Sequence, residues 1–153
     1  MPLKVDQKAP DFTLPSTHKN NFTLSLDAKD TPCIIYFYPK DFTGGCTKEA
    51  CEFRDSFEEF KDLNISIYGI SRDNIATHMK FKKAYKLPFH LLSDEDGTVA
   101  SKYGASLPLL NFTRRITYLL DENHIIRAVY TNLFDASQHI KEMVEEVNKK
   151  YQV

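Results

Sequence analysis

A chain of 153 residues with 20 basic and 21 acidic side chains, net charge −1 and 42% hydrophobic residues is sized for a single domain over residues 1–153, long enough to bury roughly 70% of its unfolded surface without disulfide staples. The near-cancelling charge gives no footprint for nucleic acid and no polybasic patch for a membrane surface. The longest apolar run, Cys33 to Tyr38, is far short of the ~20 residues of a spanning helix. Lys4, Asp6, Gln7 and Lys8 leave no apolar stretch for a secretory signal in the first ten residues. An odd count of three cysteines argues against a paired secreted framework and for reduced thiols in a cytoplasmic setting.

In chain order, Phe12 and Leu14, then Phe22, Leu24 and Leu26, alternate with polar residues on either side of the turn-like Lys19-Asn20-Asn21, which predicts an N-terminal β-hairpin. Cys33 to Tyr38 is apolar or aromatic at both parities, the pattern of a central strand covered on both faces. Pro39 ends it, and a loop over residues 40–45 leads into a helix predicted from Cys46 to Leu63, with Ala50, Phe53, Phe57, Phe60 and Leu63 as its apolar stripe. A strand follows over Ile65–Ile70, then a helix over Ile75–Tyr85 with Asn74 as N-cap and Pro88 beyond its end. A short strand over His90–Leu92, a turn at Asp94–Gly97 and a short helix over Thr98–Tyr103 come next. Arg115–Leu120 and Ile125–Tyr130 flank a turn at Asp121–His124, and a last helix is expected over Ala136–Lys150. Strand–helix–strand order makes a parallel pair with a right-handed crossover, and ligands of such sheets bind beyond the carboxyl ends of the strands. The loop after Pro39 lies there.

Cys46 follows that loop and opens the helix. Unpaired N–H groups and the positive dipole end of a first helical turn stabilise a thiolate, and Gly44 and Gly45 leave room for a substrate to reach the sulfur. Cys51 stands five residues on. Along an intact helix that separation gives a rise of about 7.5 Å and a rotation of about 140°, so the two Cα atoms stand roughly 8.7 Å apart, whereas a disulfide needs them within about 7 Å. Either Cys51 is a packing residue or the first turns of the helix unwind when Cys46 is oxidised. A structural zinc site wants four ligands, and no second cysteine pair or nearby histidine supplies them. The glycine pair lacks the lysine-containing spacing of a phosphate-cradling loop. Cys33 shares a strand face with Ile35 and Phe37 and reads as a core thiol. His18 and His124 read as turn residues, His78 and His139 as helix-surface residues, and His90 as the start of a strand, all in solvated or capping roles.

Pro39-Lys40-Asp41-Phe42-Thr43-Gly44-Gly45-Cys46 resembles the peroxiredoxin signature Pro-x-x-x-Thr-x-x-Cys, and the longer run from Tyr36 to Asp55 resembles the bacterioferritin-comigratory, or Q-type, branch of that family. Ala9-Pro10-Asp11-Phe12, Gly69-Ile70-Ser71, Leu87-Pro88-Phe89, Leu91-Leu92-Ser93-Asp94 and the run from Arg115 to Asp121 extend the resemblance over nearly the whole chain. It implies an α/β, thioredoxin-like fold, a central mixed sheet flanked by helices with an N-terminal β-hairpin, and a thiol-dependent peroxidase. By the family pattern Cys46 is the peroxidatic cysteine, Thr43 and Arg115 orient the peroxide and polarise its O–O bond, Pro39 shields the pocket, and Cys51 resolves the sulfenic acid after the helix unwinds. Hydrogen peroxide or organic hydroperoxides are the implied substrates, and thioredoxin or a similar dithiol protein the reductant. No metal or organic cofactor is implied, and the expected state is a monomer or weak homodimer. Gly44 stands where the family usually has proline, and only the family register favours Arg115 over Arg114, since successive strand residues face opposite ways. A disulfide reductase on the same fold is disfavoured, because such enzymes place cysteines two residues apart at the helix head. A redox-sensing or chaperone module built on a Cys46–Cys51 switch is the remaining alternative.

Overall fold

The apolar run at residues 33–37 forms a strand, β3 (Cys33–Phe37), in which every residue is buried. Hydrogen-bonded neighbours on both sides account for this. Ser66–Ser71 (β4) pairs with it in parallel and Ile116–Leu120 (β8) in antiparallel fashion. His90–Ser93 (β5) extends the parallel side and Ile126–Tyr130 (β9) the antiparallel side, giving the order β5-β4-β3-β8-β9. The computed structural model describes residues 1–107, 109–110, 112–131 and 145. The helix expected over Ala136–Lys150 lies, but for Glu145, outside them.

The expected N-terminal hairpin is present as Thr13–Leu14 (β1) paired with Phe22–Thr23 (β2), but it is shorter than its alternation suggests. Leu24 and Leu26 belong instead to a single helical turn, α1 (Leu24–Asp27). The Asp27 carboxylate turns back to accept from the Thr23 N–H at 2.7 Å, and Asp11 accepts from the Ser25 N–H at 2.9 Å. These side-chain acceptors bend the backbone out of the extended state. Ser106–Leu107 (β6) and Phe112–Thr113 (β7) form a further small antiparallel pair that residue periodicity did not indicate.

The helix after Pro39 starts two residues earlier than expected and is broken. Helix α2 covers Gly44–Asp55, and after Ser56 a short helix α3 covers Phe57–Asp62. Helix α4 (Ile75–Tyr85) has the expected cap, with Asn74 Oδ1 accepting from the Thr77 N–H at 2.8 Å, and ends at Lys86 in the left-handed region (φ 52°). Helix α5 (Thr98–Lys102) ends before Gly104, whose φ is 67°.

Alternation along β3 divides the interior into two layers. Cys33, Ile35 and Phe37 pack with Tyr68, Ile70, Tyr103, Tyr118 and Leu120 on one face. Ile34 and Tyr36, with Tyr38 just beyond the strand, pack on the other face with Cys46, Ala50, Phe53, Phe60 and Phe81. Phe53, Phe60 and Phe81 are at most 1% exposed. Each such ring contributes about 1.5–3 kcal/mol on burial, so they hold this layer more firmly than the one Asn74 cap, worth about 1 kcal/mol. Tyr36 lies across its parallel neighbour Gly69, where a Cβ would fall 2.7 Å from the ring. Only glycine lets the ring lie there and stack on Phe53 at 4.6 Å.

Candidate active site

The segment between β3 and α2 places the sequence-predicted residues at the carboxyl end of the parallel strands. Thr43 takes the N-cap position with extended backbone (φ −84°, ψ 155°), and its carbonyl accepts the first helical bond, from Thr47 N–H at 2.9 Å. Cys46 is therefore the third residue of α2, within the first turn. The N–H groups of Gly44, Gly45 and Cys46 precede the first intrahelical donor, as in any α-helix. The Thr43 hydroxyl does not cap the helix. It donates to Lys40 O at 2.9 Å, tying the loop across its own base.

Cys46 is 1% exposed. The Arg115 guanidinium reaches it from the start of β8: Nη2 donates to Sγ at 3.2 Å, while Nη1 donates to Glu49 Oε1 at 2.7 Å. Of the two adjacent arginines, Arg115 is thus the one that turns toward Cys46. Gly45 eases this approach, because a Cβ there would stand 3.1 Å from Nη2, a tight contact that the guanidinium would have to yield to by a few tenths of an ångström. Burial works against the charge of Arg115, but Glu49 and Cys46 outweigh it and hold the guanidinium protonated. Burial pushes the Glu49 carboxyl up to about 7 against the opposing pull of Arg115, and its Oε2 has no hydrogen-bond partner among the described residues.

Pro39 is half-buried on the rim. With Lys40, Thr43, Arg72, Phe112 and Thr113 it lines an open depression of about 440 Å³ beside the loop. Cys51, on α2, is partly buried and unbonded, and Cys46 is likewise a free thiol. Both stand on one continuous helix, the arrangement in which about 8.7 Å separates their Cα atoms. Cys33 is the core thiol expected, fully buried, and burial pushes it up to about 12.

A profile of the AhpC/TSA family matches residues 5–129. The chain belongs to that family. Within it, the relatives carry peroxiredoxin Q and bcp names. The chloroplastic peroxiredoxin Q of Oryza sativa subsp. japonica is 45% identical over 138 residues, covering 90% of this chain and 63% of the rice protein. The peroxiredoxin bcp of Coxiella burnetii is 42% identical over 150 residues, covering 94% of this chain and 98% of the relative. The chain thus spans somewhat under two thirds of the rice protein and nearly all of the Coxiella one. The crystal structure of peroxidoxin BcpB from Mycobacterium tuberculosis superposes with a TM-score of 0.89 at 33% identity, over 96% of this chain and 97% of that one. A peroxiredoxin Q structure from Xanthomonas campestris, 23% identical, shares the fold with a TM-score of 0.86 over 97% of this chain and 99% of that one. The thioredoxin-like fold expected from the resemblance is the fold observed.

In this AhpC/TSA member two parts of the site escaped the sequence reading. Glu49 lies outside the apolar stripe expected of the helix, yet it is 1% exposed. Its spacing was the available signal: Cys46, Glu49, Ala50 and Phe53 follow the i, i+3, i+4, i+7 stripe of one helix face. His78, expected on a helix surface, is fully buried, with Nδ1 2.6 Å from Asp41 Oδ2. His124 does sit in its turn, but its ring is buried and Nε2–H donates to Ala28 O at 2.8 Å. His139 lies outside the described residues. Asp41, Asp73 and His78 are the described residues whose ligand atoms, within 4.8 Å of one another, could gather round an ion. Those atoms are engaged in hydrogen bonds within the cluster and to its neighbours. No helix among the described residues is long and apolar enough to cross a membrane.

Proposed function

We propose that this protein is a thiol-dependent peroxidase with Cys46 as its peroxidatic residue. The observation that carries the reading is the Arg115 Nη2–H set 3.2 Å from a buried sulfur in the first turn of a helix. The Cys46 thiolate attacks one peroxide oxygen, the O–O bond breaks, and the departing oxygen takes up a proton and leaves as water or alcohol, with the sulfur as sulfenic acid. Charge develops on the departing oxygen, and the fixed guanidinium and the free N–H groups of the first turn are donors at hand for it, with the Thr43 hydroxyl joining them once it turns from Lys40 O. Pro39 keeps water from the sulfur. The Cys51 thiol then displaces hydroxide from the sulfenic acid, giving water and an intrachain disulfide. A dithiol protein of the thioredoxin kind reduces that bond. Cytoplasmic residence in a reducing compartment fits the odd count of three cysteines, and the proposed state is a monomer or weak homodimer.

The exposed ring of Phe112, beside Pro39 and Thr43 on the wall of the depression, gives organic hydroperoxides an apolar surface beside the loop that leads to Cys46. The test is peroxide consumption with a thioredoxin system, hydrogen peroxide against an organic hydroperoxide, in the native protein and in Cys46→Ser. Turnover of both peroxides with loss of activity in the variant is expected, because serine is no comparable nucleophile at neutral pH. Turnover that survives in Cys46→Ser, or a native protein that oxidises without turning over, would replace the peroxidase reading, the latter with that of a redox switch.

A further inference from the structure

Loop 39–43 is fastened from beneath by a buried polar cluster that the chemistry above does not use. Asp41 is 3% exposed, and both carboxylate oxygens are engaged: Oδ1 accepts from Tyr38 Oη at 2.6 Å and Oδ2 lies 2.6 Å from His78 Nδ1. His78 Nε2 stands 3.0 Å from Leu92 O. A carbonyl only accepts, so Nε2 carries a proton and the Nδ1–Oδ2 contact holds one more. The Asp41 N–H donates to Asp73 Oδ2 at 2.9 Å, which also accepts from Ser71 Oγ at 2.5 Å. Side chain and backbone of Asp41 are thereby tied to α4, to the end of β4 and, through His78, to β5.

The next residue is tied from above. Phe42 adopts φ +66°, an uncommon region for a bulky L-residue. Its ring packs on Phe81 at 5.1 Å and Tyr85 at 6.3 Å. His78, Phe81 and Tyr85 recur at i, i+3 and i+7, one stripe of α4. Successive loop residues are thus gripped by one helix face, and Thr43, Gly44, Gly45 and Cys46 follow directly.

We infer that Asp41 and His78 are positioning residues whose buried contact latches the loop, holding the first turn of α2 in its helical form and setting how readily Cys46 leaves it. The kinetic part rests on the proposed pairing of Cys46 with Cys51, which requires that turn to unwind. The latch itself is a property of the reduced protein. Weakening it loosens Thr43 and the free N–H groups, so attack on peroxide slows. The same loosening eases unwinding, so disulfide closure quickens. A purely structural defect moves both rates down or neither.

Amide exchange in the reduced protein tests the latch without peroxide. In Asp41→Asn the amides of residues 44–50 should exchange about two- to tenfold faster, since the charge-assisted contact to His78 becomes a weaker neutral one, while Ile34–Phe37 stay protected. In Tyr38→Phe, which removes one neutral partner of Asp41, the same segment should exchange about two- to tenfold faster. Unchanged exchange at 44–50 in both variants, or equal acceleration in β3, would overturn the latch. Stopped-flow oxidation of Asp41→Asn should then show slower sulfenic acid formation and faster disulfide formation than the native protein. Two rates that fall together would overturn the positioning role. A native protein that forms no Cys46–Cys51 bond would refute the proposed resolving step and leave the exchange result to decide the latch.

Discussion

Gly44 is the first residue of α2, a position where proline is preorganised, since its ring fixes the helical φ and the N–H it removes has no intrahelical partner. The residue before a proline must be extended, and Thr43 already is, at ψ 155°. A Cβ at position 44 meets nothing within 4 Å. Gly44→Pro should therefore stabilise the reduced protein by about 0.4–1 kcal/mol, by withdrawing conformations from the unfolded chain. The same restriction acts on any state in which only the first turn of α2 has come apart. The population of that opened state should fall about two- to fivefold, as 1.36 kcal/mol corresponds to a factor of ten. Urea denaturation of the reduced protein reads the first effect. Stopped-flow measurement of Cys46–Cys51 closure after a peroxide pulse reads the second. A higher midpoint together with closure slowed two- to fivefold is the expected pair. A higher midpoint with closure at the native rate would refute the reasoning, because the first turn would then play no part in bringing the two sulfurs together.

Arg115→Ala should slow Cys46 oxidation by about 10²–10³, the usual loss for one donor aimed at developing charge, whereas Arg114→Ala should change it little. Second-order rates for both variants decide this, and the reverse order would contradict the observed geometry. Glu49 lies above its ordinary carboxyl value, so its contribution to stability is fully present below about pH 4.5 and is lost as the pH rises through about 7. Relative to Glu49→Gln, the native protein should lose stability of order 3 kcal/mol between those limits, measured as urea midpoints of both proteins across pH 4 to 8. Cys33, pushed up to about 12 by burial, should escape alkylation at pH 8 in the native state and react once urea unfolds the chain. Cys33→Ser should keep peroxide turnover while losing some stability to a hydroxyl placed in the core.

The parts of the fold that sequence made legible are those in which one strong pattern acts alone. Two-face burial marked β3 as central, the Asn74 cap and Pro88 bracketed α4, and the cysteine after two glycines marked the head of α2. What stayed hidden depends on partners distant in sequence. Glu49 is a charge among charges until Arg115, 66 residues away, draws it inward. His78 reads as an amphipathic helix position until Asp41 and Leu92 O engage both of its ring nitrogens. Residues 24–27 alternate like a strand, but the carboxylates of Asp11 and Asp27 stabilise a turn. Alternation requires Arg114 and Arg115 to face opposite ways, and only the third dimension shows which one finds Cys46.

The interruption at Ser56 divides what would be one long rod into helices of 12 and 6 residues. A helix of 12 residues is marginal in water by itself. Joined smoothly to its successor through Ser56, α2 would gain from nineteen residues of shared cooperativity, and releasing its front end would strain the whole length. Separated at Ser56, it can melt as a domino of its own while Phe60 keeps α3 seated in the core. Cys51 lies on the near side of that joint. Both sulfurs therefore belong to the same small unit of cooperativity, so that under the proposed Cys46–Cys51 pairing one event would free both partners of the bond.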